Sequence, residues 1–314
     1  MRAITPGRQG GQHQDRPLRA FLPFLPPLLL ALSILGAFDA GAAEVVLLGT
    51  GFPRPDPLRA GPSTAVVAGG GWFVFDAGRG VTLRIAAANL NYETLRAVFL
   101  THLHSDHTAG LPDLFITSWQ FGRKSRPLEL YGPRGVTDLS EGMLRFFRED
   151  IRLRRDVIEK HPAAGATINP REVREGVVYD ANGVRITAFA VDHRPVERAF
   201  GYLVEADGRR IVISGDTRPD DNLLEHAKNA DVLVIEACLP EHFDRVDTPE
   251  VAARLKRYHT TAEEAGQIAA AAGVKRLVLT HLIPANAEET FRERAAKHFT
   301  GEILVGKDLL RVRP

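Results

Sequence analysis

Seven residues, Thr101-His102-Leu103-His104-Ser105-Asp106-His107, hold three histidines and one aspartate. They follow Ala97-Val98-Phe99-Leu100, an apolar run that reads as a short buried strand, and a helix is predicted from Thr108 onward. In extended backbone, residues two apart face the same side. His102 and His104 can therefore point into one site from a strand end, with Asp106 and His107 on the turn beyond. Imidazole and carboxylate together suit zinc and its neighbours in the divalent series. A turn that is merely polar has no need of four metal-competent side chains within six positions. The chain has one cysteine, Cys238, which excludes an intrachain disulfide and a cysteine zinc cluster. Histidine and carboxylate must hold any metal.

Five further places carry an acid or an imidazole at the end of a predicted strand or just before a predicted helix, where sheet-based sites are usually built. They are Val191-Asp192-His193, Ser214-Gly215-Asp216-Thr217, Ile235-Glu236-Ala237, Tyr258-His259-Thr260-Thr261 and Leu279-Thr280-His281-Leu282. Singly each is weak: Asp216 could cap a helix, and His259 could lie on the surface. Their recurrence is what points to one assembled site.

The elements that must position these residues alternate. Strands are predicted at 44–49, 64–68, 72–76, 127–132, 176–180, 184–191, 200–205, 210–214, 231–237, 276–280, 303–305 and 309–312, besides the one before His102. Helices are predicted at 81–90, 111–121, 135–147, 223–229, 261–272 and 288–299. Asn182-Gly183 and Asp207-Gly208 are hairpin turns. The pattern predicts layered α/β packing with helices on the outer faces, and no internal linker or repeat divides residues 44–314. Arg145 to Lys160 is rich in arginine but diluted by acids, which reads as a solvated amphipathic face. A sharper reading makes it a cap that attracts an anionic substrate.

With 44% hydrophobic and 25% charged residues, the 314-residue chain can bury a full core. Its first 20 residues are arginine-rich, residues 21–35 are apolar but broken by prolines, and Ala40-Gly41-Ala42 offers small residues at cleavage spacing. That layout predicts a signal peptide over residues 1–43, and the apolar run is short for a membrane span. Its removal, with four arginines and two acids, turns the net charge from +1 to −1. A near-neutral remainder argues against general nucleic-acid binding.

The motifs together resemble the metallo-β-lactamase fold superfamily, in the branch that holds ribonuclease Z and the arylsulfatase-like hydrolases. Carrying the resemblance are Gly49-Thr50-Gly51, Phe75-Asp76-Ala77-Gly78, the His102-to-His107 motif, Tyr131-Gly132-Pro133 and His193 with Phe200-Gly201-Tyr202. Ser214-Gly215-Asp216-Thr217, Glu236-Ala237, His259-Thr260-Thr261 and Thr280-His281-Leu282 complete it. It covers essentially all of residues 44–314. It implies a single-domain α/β fold, a four-layered αββα sandwich with metals in the crevice at its edge.

Residue by residue, the resemblance implies two divalent metal ions, zinc first, with iron or manganese as alternatives. His102, His104 and His193 would hold one, Asp106, His107 and His281 the other, and Asp216 would bridge them. Two nearby cations need an anionic bridge to offset their repulsion, and a water shared between them has a strongly lowered pKa. His259, oriented by Glu236, would help the leaving group, and Asp106 counts among the catalytic residues beside His259 and Glu236. Asp76 would hydrogen-bond a ligand histidine, or would only shape a turn. Ile235 stands where the family often has histidine.

Ribonuclease Z enzymes generally carry a protruding arm that clamps transfer RNA, often between the glycine-tyrosine strand and the strand ending in the bridging aspartate. Here Leu203 to Ser214 is a plain hairpin. With the signal peptide and the net charge, this favours an exported hydrolase, periplasmic or secreted. It would use a metal-bridging hydroxide on a small anionic ester, a phosphodiester or an aryl sulfate. Its partner would be that ester rather than a nucleic acid, with no membrane span after signal removal and a homodimer as the assembly considered. The alternatives are a ribonuclease Z-like tRNA 3′-processing endonuclease, and a lactonase or β-lactamase acting on a carbonyl.

Overall fold

Val45 and Leu47 pack toward one side of their strand, and Val46 and Leu48 toward the other, and all four are fully buried. A strand buried on both faces must lie between two layers, and the computed structural model, described here for residues 43–314 without Asp247, shows which. One mixed seven-stranded sheet runs Arg311–Val312 (β14), Glu44–Gly49 (β1), Ser63–Ala68 (β2), Gly71–Phe75 (β3), Leu95–Phe99 (β4), Leu128–Gly132 (β5), Ile168–Glu172 (β6). The other runs Glu302–Val305 (β13), Arg276–Ile283 (β12), Val232–Cys238 (β11), Arg209–Ile213 (β10), Ala199–Ala206 (β9), Val184–Val191 (β8), Gly176–Ala181 (β7), also seven strands.

Three apolar layers hold the sandwich. Between the sheets, Phe75, Phe99 and Tyr202 meet at ring separations of 5.2–5.4 Å, favourable offset and edge geometries. Outside the first sheet, Val74, Val98 and Leu130 pack on Ile85, Leu114 and Phe115 of the helices. Outside the second, Leu233, Leu277 and Leu279 pack on Ala265, Ala269 and Phe291. Each fully buried side chain of this size stabilises the fold by about 1.5–3 kcal/mol relative to exposure. This is the expected αββα sandwich, formed as a single domain.

Several elements differ from the sequence reading. A short helix begins at Ser105, so Asp106 and His107 ride its first turn (Ser105–Thr108) rather than a loop before Thr108. Ile168–Glu172 is an edge strand that Pro170 and its charges concealed. Two helices, Glu241–Val246 and Pro249–Leu255, fill the stretch between β11 and His259. Thr248, whose side chain accepts from the Val251 amide, and Pro249 at the first helical position are the start signal for the second of them. The predicted signal peptide lies almost wholly in residues 1–42, outside the described residues. Among the described residues no helix is long and apolar enough to cross a membrane.

Candidate metal centre and active site

The predicted ligands come from five separate places and meet at one edge of the sandwich. His102 and His104 follow β4, Asp106 and His107 sit on the next helical turn, His193 follows β8 and Asp216 follows β10. His281 lies inside β12 at a bulge. The register of β11 against β12 pairs Glu236 with Thr280 and Ala237 with Leu282, which leaves His281 unpaired with a φ of 46°. An extra residue in one strand re-aims its side chain, and this one is aimed at the carboxylates.

The donors divide into sets. His102, His104, His193 and Asp216 bring ligand atoms within 4.8 Å of one another, and so do Asp106, His107 and His281. Asp216 reaches both: its Oδ2 is 4.0 Å from Nε2 of His102 and of His193 and 3.3 Å from Nε2 of His281, and its Oδ1 is 3.3 Å from Nε2 of His107. Nε2 of His281 is also 3.2 Å from Oδ2 of Asp106. Nε2 of His102 lies 2.8 Å from Nδ1 of His104.

The second nitrogens are already committed. Nδ1 of His107 is 2.7 Å from Asp76 Oδ2, Nδ1 of His193 is 3.1 Å from the Tyr258 carbonyl and Nδ1 of His102 is 3.0 Å from Thr101 Oγ1. Such bonds fix tautomer and ring orientation and leave Nε2 for a cation. Nε2 of His107, Nε2 of His193 and Oδ1 of Asp216 are buried without a hydrogen-bond partner. Orphaned buried polar atoms cost about 1–3 kcal/mol each, and a divalent cation would satisfy these together. The donor set fits such ions.

The electrostatics agree. Burial pushes His193 down to about 4 and His102 well below its ordinary value, which favours the neutral imidazole that a metal ligand needs. Burial acts against Asp216 too, yet His281 and His107 hold its carboxyl well below the usual range. Nδ1 of His259 is 2.6 Å from Oε2 of Glu236, whose Oε1 accepts from the Thr217 amide at 2.6 Å. Burial raises Glu236 well above the ordinary carboxyl value and lowers His259. The pair therefore leans away from the charged imidazolium that pairing alone suggests.

A cleft of about 500 Å³ opens onto these groups, lined by Asp106, Asp216, His259 and His281 and walled by Phe52 and Phe243. Sequence reasoning missed that wall and the polar supports Thr101 and the Tyr258 carbonyl. Main-chain partners leave no trace in residue type. Four arginines of 145–160 are engaged locally: Arg145, Arg152, Arg154 and Arg155 pair with Glu141, Glu149, Asp150 and Asp156 beside them. The solvated-face reading stands.

Residues 71–282 match the family model described as a beta-lactamase superfamily domain. Ribonuclease Z of Mycobacterium bovis is 43% identical over 277 residues, covering 86% of this chain and 97% of the relative. Human tRNase Z, short form, is 25% identical with a TM-score of 0.64, covering 86% of this chain and 98% of that one. A metallo-β-lactamase fold protein from Bacillus subtilis, 20% identical, shares the fold with a TM-score of 0.68 over 87% of this chain and all (100%) of that one.

These relatives correct two expectations. The exported hydrolase of a small phosphodiester or aryl sulfate gives way, because the curated relatives are ribonucleases that this chain matches over nearly their full length. The hairpin argument behind that expectation is structurally sound, with Arg209 paired to Ala206 across a two-residue turn, yet 97% coverage of the relative outweighs one missing insertion. The periplasmic or secreted location falls with it, because the curated relatives that the chain matches are ribonuclease Z enzymes. The protein is a metal-dependent hydrolase acting on phosphoester bonds. The chain belongs to the metallo-β-lactamase fold superfamily and, within it, to the ribonuclease Z family.

Proposed function

We propose that the protein is a tRNA 3′-processing endonuclease working with two zinc ions. The observation that carries this reading is the 43% identity to a ribonuclease Z across 97% of that relative's length. The site supports it: His102, His104 and His193 would hold one ion, Asp106, His107 and His281 the other, and Asp216 stands within reach of both sets. When bound, such ions supply a water of lowered pKa and neutralise charge on phosphate oxygens.

The remaining steps belong to the chain. Glu236 holds Nδ1 of His259, whose ring lines the cleft; in its protonated form the ring would give its Nε2 proton to the leaving oxygen. Asp106 lines the same cleft, where it would accept a hydrogen bond from the attacking water. Phe52 and Phe243 offer aromatic surface against which a base can lie.

The test is a transfer-RNA precursor carrying a 3′ trailer, incubated with metal-replete protein beside bis-p-nitrophenyl phosphate and p-nitrophenyl sulfate. A single cut at the 3′ end of the acceptor stem, lost with chelator and restored by zinc, is expected. An intact precursor under conditions that hydrolyse the small esters overturns the reading.

A further inference from the structure

A second cleft, of about 810 Å³, adjoins the first and shares His104, Leu255 and Tyr258 with it. Helix Pro249–Leu255 and the turn to Tyr258 form the partition between them. Four arginines line this second space: Arg194, Arg218, Arg254 and Arg257. Against them stands Glu197 in the lining, with Asp192 behind. One carboxylate serves two guanidiniums: Asp192 Oδ2 is 2.5 Å from Nη2 of Arg194 and also pairs with Arg218. The two side chains are thereby held in place while keeping N–H groups to spend.

Arg254 lies on the last turn of helix Pro249–Leu255 and Arg257 on the turn after it, where its amide donates to the Arg254 carbonyl at 2.9 Å, and both line the cleft. Both are exposed. Arg257 donates Nε to the Ala253 carbonyl at 2.9 Å, and neither has a carboxylate partner among the described residues. This separates them from Arg145, Arg152, Arg154 and Arg155, which pair with their neighbours. Charge left unpaired beside a metal-ligand histidine has no structural use that the fold displays. A guanidinium fork matches phosphate oxygens two at a time.

We propose that this cleft is the track for the RNA backbone phosphates next to the scissile one, with Arg254 and Arg257 as the groups that grip them and Arg194 and Arg218 as its braced floor. The inference rests on the ribonuclease reading above and adds to it where the strand runs. It also explains why a net charge of −1 over residues 44–314 misleads: affinity for a polyanion depends on where the cations stand.

The experiment compares wild type with Arg254→Ala/Arg257→Ala on a trailer-bearing tRNA precursor and on bis-p-nitrophenyl phosphate, across a KCl series. The ratio of kcat/KM on precursor to that on the small ester should fall roughly tenfold or more in the variant. The slope of log kcat/KM against log[KCl] for the precursor should become shallower by about 1 to 2, since each phosphate contact contributes roughly 0.7–0.9 to it. Arg254→Lys/Arg257→Lys should recover most of the salt slope. A wild type that cleaves the precursor while the Ala variant keeps both ratio and slope overturns the track alone. A wild type that leaves the precursor intact overturns the ribonuclease reading and the track with it.

Discussion

Asp76 and His107 are joined by a 2.7 Å contact between Oδ2 and Nδ1, made from a residue whose own φ is 60°. A left-handed backbone at an aspartate is uncommon, and here it lets the carboxylate turn back from the end of β3 toward the site. The same carboxylate accepts from the amide and the hydroxyl of Thr101, both at 2.8 Å. Asp76 thus ties the strand end before His102 to the ring of His107. Asp76→Ala is expected to lower zinc affinity about 10- to 100-fold, read by titration against a competing chelator. Affinity equal to wild type would reduce Asp76 to a turn residue.

Gly78 sits where no side chain fits. A Cβ there would lie 2.3 Å from the carbonyl carbon of Gly61 and 2.7 Å from the carbonyl oxygen of Asp106. Backbone cannot yield as a flexible side chain can, so the strain passes to the helical turn that carries Asp106 and His107. Gly78→Ala should cost about 1–3 kcal/mol in chemical denaturation and should weaken zinc binding as well. Lost stability with wild-type zinc affinity would show that the ligand turn is insulated from this packing.

Much of the site was legible because its chemistry is written in residue types at strand ends. Alternation and apolar runs put His102, His104, His193, Asp216 and His281 at strand ends and gave layered α/β packing, while the family resemblance supplied their expected roles and the sandwich. What stayed hidden depends on contacts without a local signature. The bulge that aims His281 is a register shift between β11 and β12. The support for His193 is a carbonyl, that of Tyr258, 65 residues away. The arginine cleft gathers residues from the segments after β8 and β10 and from the helix before His259, so summed charge could not show it. The short hairpin and the near-neutral sum point away from nucleic acid, whereas 43% identity to a ribonuclease Z over 97% of its length points toward it.

Asp231 offers a pH test away from the metal centre. It is buried at the start of β11 and accepts from Lys275 Nζ at 2.7 Å, the Arg210 amide at 2.8 Å and Arg209 at 3.3 Å. Burial alone would raise its pKa, but Lys275, the Arg210 amide and Arg209 outweigh it and hold the carboxyl below the usual value. A depressed folded-state pKa contributes stability in full above the unfolded value, near 4, and loses it as pH falls toward the folded one. Asp231→Asn should therefore cost about 1–2 kcal/mol at pH 7, with the gap from wild type closing below about pH 4. A gap that is constant from pH 7 to pH 3 would assign the loss to packing instead of charge.

His259 and Glu236 make the sharpest test of the proposed chemistry. The 2.6 Å contact between them leaves one imidazole nitrogen for the cleft, and burial lowers the His259 pKa. A group easily stripped of its proton is a good donor to a strongly basic leaving alkoxide and adds little for an aryloxide that departs unaided. His259→Ala should therefore slow a ribonucleotide ester about 100-fold or more, and bis-p-nitrophenyl phosphate far less. Glu236→Gln should move the same way to a smaller degree, since its amide can still face Nδ1 but cannot support a charged ring. Single-turnover rates on both substrates measure this, with zinc content checked in each variant. Equal losses on the two leaving groups would remove His259 as the proton donor and leave it a residue that shapes the cleft.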